Sequence, residues 1–145
     1  MYHHVLCAYD GSPAAKAALT EAIELAASMN ARLAIVTVVE RPPAGVAAAG
    51  VDPDALARTM EHERGDQLKE ACAQVPDDLP LTTLLRAGHA GKEILKAADE
   101  LGADVLVLGT RGRSRVTSNL FGSVAADVHF HTKLPILVVS AQEPS

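Results

Sequence analysis

The chain has 145 residues, of which 48% are apolar and 21% are charged, and it contains no Trp. This composition predicts one folded domain over residues 1–145 with a core of Val, Leu, Ile and Ala, and it excludes a disordered chain. The formal net charge of −5 argues against a surface that binds nucleic acid or an anionic membrane, and no apolar run approaches the ~20 residues of a membrane helix.

The first half of the chain alternates between strand and helix patterns. The opening apolar run stops at residues 10–12, which are turn and cap formers, and Pro13 suits the first position of a helix because its missing N–H would be unpaired there. Apolar residues then recur at spacings of four and three up to Met29, which indicates one face of a helix that Asn30 can end. Residues 31–40 are apolar on both faces and rich in β-branched side chains, as is typical of a buried parallel strand.

The second half continues the alternation after a surface loop over residues 41–53, which holds prolines and glycines. The elements predicted beyond it are a helix over 54–74, a strand over 81–88, a helix over 89–101, a strand over 103–109, a helix over 124–131 and a strand over 135–139. Gly102 is predicted to end the helix over 89–101. Alternation of this kind predicts an α/β fold with right-handed crossovers, in which helices cover both faces of a five-stranded parallel sheet.

Two turns carry chemistry that suits a ligand. The sequence "AYDGS" follows the first strand and "GTRG" follows the fourth. In open parallel sheets, ligands bind beyond the carboxyl ends of the strands, where the strand order reverses. If the first and fourth strands are neighbours, both turns open into one crevice.

Three glycines and a serine follow the fourth strand, namely Gly109, Gly112, Gly122 and Ser123. Glycine admits a ligand where a Cβ would collide with it, and backbone N–H groups of such a loop, with those that open a helix, suit phosphate oxygens. The alternative is a tight turn in which glycine only relieves a steric clash. That alternative would be favoured for Gly109 alone, whereas the full set favours an anion site.

The pattern Gly, two residues, Gly, nine residues, Gly-Ser resembles the nucleotide-binding signature of the universal stress protein family. The segments "GTRGRS" and "LFGSVAADV" carry that likeness. The opening "VLCAYDGSPAAKAAL" is similar to the first strand and helix of the family, and "PILVVS" is similar to its last strand. The likeness covers nearly the whole chain except the 41–53 loop.

The resemblance implies a doubly wound, Rossmann-like sheet of the adenine nucleotide alpha hydrolase type, paired into a homodimer through Pro135 to Val139. It also implies a stress-response regulator that binds ATP. The residues it assigns to ribose and phosphates are Gly109, Gly112, Gly122, Ser123 and Val124. Ala8, Asp10 and the backbone near Val38 would frame the base and sugar. The predicted site also includes their neighbours Tyr9, Thr110, Arg111 and Arg113.

Some positions leave alternatives open. Arg115 stands where the family usually has glycine, so it could narrow the loop or add a phosphate contact. The three alternating arginines of this loop suit phosphate oxygens, but they are equally compatible with a solvated rim, and we predict at most one phosphate contact, at Arg113. Asp10 could accept a ribose hydroxyl or bind Mg²⁺, or it could serve the turn. Ser12 already supplies a cap, which favours the ligand role.

Other motifs fail on spacing or on partners. The segment from Gly88 to Lys92 lacks the four-residue spacer of a P-loop and the Ser or Thr after its lysine. The histidines form no convincing metal set. No secretory leader precedes Cys7 and Cys72, so we expect reduced thiols in a cytoplasmic protein, and neither cysteine has a motif partner for nucleophilic catalysis.

Three functional hypotheses follow. The first is an ATP-binding homodimeric regulator with a protein partner that the sequence does not identify. The second is a slow Mg²⁺-dependent ATPase, for which only Asp10 could orient water, so turnover near background is predicted. The third is a partner-binding scaffold whose pocket takes AMP or cyclic AMP.

Overall fold

A computed structural model of the chain describes residues 1–41, 45–110 and 122–141. Strands and helices alternate throughout these ranges, and every predicted element is present with small shifts at its ends. The elements are β1 (His4–Ala8), α1 (Pro13–Met29), β2 (Arg32–Val39), α2 (Pro53–Ala73), β3 (Leu81–Ala87), α3 (Ala90–Leu101), β4 (Val105–Gly109), α4 (Ser123–His131) and β5 (Ile136–Val139).

The five strands form one parallel sheet in the order β3-β2-β1-β4-β5. Val5 of β1 pairs with Leu33 of β2 on one side and with Val105 of β4 on the other. The chain therefore builds outward from β1 to β3 and then crosses back to add β4 and β5. The strand order reverses at β1, which makes the sheet doubly wound, and the predicted fold class and the adjacency of the first and fourth strands are both confirmed.

Two apolar clusters fill the space between the sheet and its helices. Cys7 of β1 belongs to a cluster that includes Leu19 of α1 and Leu68 of α2. Its neighbour Leu6 belongs to the opposite cluster, which includes Ile94 of α3 and Val128 of α4. Successive strand residues point to opposite faces, so β1 is buried from both sides, as the unbroken apolar strands predict.

The helix ends follow the predicted signals. The Ser12 Oγ accepts a hydrogen bond of 3.1 Å from the N–H of Ala15, and Pro13 is the first helical residue. Asn30 ends α1 in the left-handed region with φ +56°, and Gly102 ends α3 in the same way with φ +66°. Both residue types tolerate that conformation better than others do.

At the amino ends of the strands, Asp104 links the residues just before β4 to the start of β1. Its two carboxylate oxygens accept hydrogen bonds from the N–H groups of His3 and His4, at 2.7 and 3.1 Å. Burial acts to raise the pKa of Asp104, but these hydrogen bonds outweigh it and leave the pKa below its ordinary value. Among the described helices, none has both the length and the hydropathy to cross a bilayer.

Candidate functional site

A cleft of about 240 Å³ opens at the carboxyl ends of the central strands. Its walls come from the ends of β1, β2 and β4, from the first turns of α1, α3 and α4, and from the middle of α2. The cleft lies where the strand order reverses, which is the general location of ligand sites in doubly wound sheets.

The structure brings together every predicted site residue that it describes. Those that line the cleft are Ala8, Tyr9, Asp10, Val38, Gly109, Thr110, Gly122, Ser123 and Val124. The predicted positions Arg111, Gly112 and Arg113, together with Arg115, lie outside the described residues.

The turn between β1 and α1 forms one rim of the cleft. An Oδ1 atom of Asp10 accepts a hydrogen bond of 3.0 Å from the N–H of Ser12, so Asp10 has the turn-forming role that was one of its two predicted alternatives. An ionised carboxylate offers about four acceptor sites, so a turn-forming bond and a ligand role are compatible. Gly11 has φ +79°, in the left-handed region. The side chain of Gln67 in α2 packs against it so closely that a Cβ on Gly11 would lie 2.7 Å from the Gln67 Nε2.

Gly109 ends β4 at the place where that strand meets the start of α1. A Cβ at this position would lie 2.8 Å from the carbonyl carbon of Ala14, which is closer than real Cβ contacts. The backbone of Gly109 does not have a positive φ. The steric explanation that the sequence left open for Gly109 therefore describes what it does: it lets β4 and α1 approach each other.

The start of α4 forms the opposite rim. Gly122 is the N-cap with φ −68°, a backbone conformation open to any residue, and no side chain among the described residues caps this helix. The Gly122 N–H donates to the carbonyl of Thr110, and this hydrogen bond joins the start of α4 to the residue that follows β4. The first N–H groups of a helix have no partner within it and carry the positive end of the helix dipole. Ser123 and Val124, which carry such N–H groups, line the cleft.

The ends of β1 and β2 are tied together beneath the cleft. The Tyr9 N–H donates to the Val36 carbonyl at 2.9 Å, and the fully buried Thr37 donates its hydroxyl to the Tyr9 carbonyl, also at 2.9 Å. The Tyr9 side chain is 2% exposed, and its hydroxyl has no hydrogen-bond partner within the described ranges. Burial raises the pKa of Tyr9, and the nearby negative charges of Glu70 and Asp10 add to that rise.

The contribution of α2 to the cleft was not predicted from the sequence. Met60 and Arg64 line the cleft from this helix, and Glu40 lines it from the end of β2. The Arg64 Nη1 donates a hydrogen bond of 2.9 Å to the Gln67 Oε1. The spacing of four residues between Met60 and Arg64 indicates a shared helix face, but only the packing of α2 against the sheet shows which surface that face meets.

The lining suits a ligand with a flat apolar part and an anionic part. Apolar side chains, such as those of Val38, Ile94 and Leu108, form part of the wall. Polar groups at the rim include Asp10, Thr110 and Ser123. Clefts of this type, mostly apolar with a few convergent polar groups, are typical of small-molecule sites. Over the described ranges, no three His, Cys, Asp or Glu side chains gather closely enough to hold a metal ion on their own.

Comparison with known proteins agrees with this architecture. The model of the universal stress protein family matches residues 1–140. Universal stress protein A homolog 1 of Coxiella burnetii is 31% identical over 135 residues, which span 90% of this chain and 92% of that protein.

Two solved structures extend the comparison. A universal stress family protein from Burkholderia pseudomallei is 30% identical, with a TM-score of 0.76 over 95% of this chain and 96% of that one. A universal stress protein solved in complex with cAMP is also 30% identical, with a TM-score of 0.62 over 97% of this chain and 98% of that one. On the match over residues 1–140, this chain is a member of the universal stress protein family.

Proposed function

We propose that the cleft binds an adenine nucleotide, with ATP as the ligand, and that the protein acts as a homodimeric stress-response regulator. The observation that carries the proposal is the convergence, at one cleft, of the uncapped start of α4 and the turn after β1. The first supplies backbone N–H groups for phosphate, and the second supplies carboxylate and hydroxyl groups beside an apolar wall. The related protein that is solved with cAMP supports an adenine nucleotide as the ligand class.

In this proposal the phosphates lie at the start of α4. The N–H groups of Ser123 and Val124 and the Ser123 hydroxyl donate to phosphate oxygens, and the helix dipole favours the negative charge there. Gly112, Arg111 and Arg113 belong to the proposed site through the signature that they complete. Ala8 and the backbone at Val38 lie on the side of the base and sugar.

Asp10 fits a role in holding Mg²⁺ with the nucleotide. Magnesium is usually bound through one or two carboxylates together with substrate phosphates, and it keeps several waters. Asp10 lines the cleft between the two walls, so its carboxylate would hold the ion while phosphate oxygens complete the coordination. When bound, the ion would neutralise phosphate charge.

We propose binding without appreciable hydrolysis. Asp10 and Glu40 are the carboxylates of the described lining, and Asp10 already accepts a hydrogen bond within its own turn. Fast phosphoryl transfer needs a positioned nucleophile and a cation that stabilises the transition state. Single-turnover phosphate release that is much faster than solution hydrolysis, and that is lost in Asp10→Asn, would contradict this part.

Cyclic AMP is a second candidate ligand, and one observation favours it, namely the cAMP complex of the related protein. Titration calorimetry with ATP, ADP, AMP and cyclic AMP separates the two candidates. We expect the tightest binding for ATP in the presence of Mg²⁺, because each added phosphate gains contacts at the start of α4. Tightest binding of cyclic AMP would replace ATP with that ligand. Failure of all four nucleotides to bind would refute the proposed function.

The proposed dimer uses the outer edge of β5. Ile136–Val139 lies at one end of the sheet, and Leu137 is 39% exposed. An edge strand presents unpaired backbone groups that a symmetric partner can satisfy. We expect sedimentation of a dimer at micromolar concentration and of a monomer for Leu137→Lys. A monomeric wild-type protein would contradict this part without affecting the proposal for the nucleotide.

A further inference from the structure

The two walls of the cleft lie to either side of β1 in the strand order of the sheet. α2 packs against β2 and β3, and it contributes Met60 and Arg64. The opposite wall comes from the end of β4 and the start of α4. β1 lies between β2 and β4, and neighbouring strands are about 4.8 Å apart, so the strands that carry the two walls are separated by roughly 10 Å.

The start of α4 and the carboxylate of Glu40 together favour one direction for a bound nucleotide. The start of α4 favours an anion, since its N–H groups lack partners within the helix. Glu40 lines the cleft on the β2 side, where a carboxylate disfavours phosphate. A nucleotide with its phosphates at α4 therefore has its base directed toward α2.

Arg64 is placed to meet that base. It is half-buried, and its Nη1 donates to the Gln67 Oε1 at 2.9 Å, while Gln67 is itself packed over Gly11. Within residues 1–41, 45–110 and 122–141, no carboxylate forms an ion pair with Arg64. The guanidinium plane is thus held at one corner by an amide and is not neutralised by an acid there.

The chemistry of both α2 residues suits a flat aromatic ring. A guanidinium is planar and weakly hydrated, and it stacks on aromatic faces in a way that a lysine ammonium does not. The thioether of methionine adapts its shape to an aromatic surface. Met60 lies one helical turn before Arg64, so both side chains border the same end of the cleft.

We infer that Met60 and Arg64 form the base-binding wall of the cleft, with the Arg64 guanidinium lying against the purine ring. The inference rests on the proposed function and adds to it the residues that recognise the base. Arg64 contacts the base rather than the phosphates, and Gln67 orients it.

Calorimetry with three probes tests this assignment. ATP contains both parts of the ligand, adenosine contains only the base and sugar, and tripolyphosphate contains only the anion. The variants are Arg64→Ala, Arg64→Lys and Met60→Ala. Arg58→Ala is the matched control, because Arg58 is an exposed arginine of the same helix that borders a separate groove. Circular dichroism confirms that each variant is folded.

We expect Arg64→Ala to weaken ATP and adenosine by the same factor, roughly 3- to 20-fold, and to leave tripolyphosphate unchanged. Arg64→Lys should also weaken the binding of ATP and of adenosine, because it keeps the positive charge and loses the planar guanidinium. Met60→Ala should follow with a smaller loss, and Arg58→Ala should change none of the three.

Two results would overturn the inference while leaving the proposed function intact. One is a loss for ATP and tripolyphosphate with adenosine unaffected, which would place Arg64 at the phosphates. The other is unchanged binding of all three probes by Arg64→Ala. If the wild-type protein binds neither ATP nor adenosine, the proposed function fails, and this inference fails with it.

Discussion

A single carboxylate placed at the start of α4 should stabilise the protein and weaken its nucleotide binding. Ser123 is the first residue of α4, the first turn contains no acidic residue, and in the described part of the chain no side chain caps the helix. In Ser123→Asp the new charge interacts favourably with the helix dipole, by about 0.3–1 kcal/mol. The same charge meets the phosphates that we place there. At roughly 5 Å and an effective dielectric of about 20, one pair of like charges costs about 3 kcal/mol. Screening at this exposed site halves that cost, which leaves a loss in ATP affinity of about 10-fold or more.

The assay pairs urea denaturation without ligand with calorimetry of ATP binding. Thr20→Asp is the control, because it adds the same charge at an exposed position within α1, away from either helix end and absent from the cleft lining. We expect the control to bind ATP as the wild type does. Wild-type affinity for ATP in a folded Ser123→Asp variant would refute the placement of the phosphates at α4.

Three further predictions concern packing, pH and reactivity. Gly109→Ala should lower the free energy of unfolding, measured by urea titration, by about 1–3 kcal/mol, because the new Cβ meets the backbone of α1. The control Gly65→Ala has open space around it in α2 and should raise that free energy by about 0.5–1 kcal/mol. Equal effects of the two substitutions would contradict the close approach of β4 and α1. The pKa of Asp104 is lower in the folded than in the unfolded protein, so its carboxylate stabilises the fold. This stabilisation is fully present above the pKa of the unfolded state, about 3.9, and is lost as the pH falls through the pKa of the folded state. The melting temperature of Asp104→Asn should therefore lie below that of the wild type at neutral pH and converge with it in acid, while Asp77→Asn, an exposed control, should follow the wild type throughout. Burial raises the pKa of Cys7 to about 12, so iodoacetamide at pH 8 should leave Cys7 unmodified in the native protein and label it after unfolding; rapid native labelling would contradict the buried position.

The parts of the fold that sequence predicted well depend on local chemistry. Ser12 and Pro13 begin a helix because a hydroxyl can accept from the exposed N–H groups and proline lacks one. Asn30 ends the same helix because it tolerates the left-handed conformation. The unbroken apolar strands indicated a sheet covered on both faces. Whether the two ligand-like turns share one crevice depended on the strand order, which the structure supplies.

The parts that sequence did not predict depend on contacts between distant segments. The charged surface of α2 gave no sign that Met60 and Arg64 border the cleft, because that depends on how the helix lies on β2. Similarly, the role of Gly109 became clear only when the close approach of Ala14 was visible. Periodicity identifies a helix face, whereas the surface that it meets is set by tertiary packing.

The hydrogen bond from Gly122 to Thr110 joins the start of α4 to the residue that follows β4. Eleven positions, 111–121, intervene between these two residues in the sequence. Changing the number of residues between two joined points alters the closure entropy only slowly. We therefore expect related chains to differ in the number of residues at this place at little cost to the stability of the sheet.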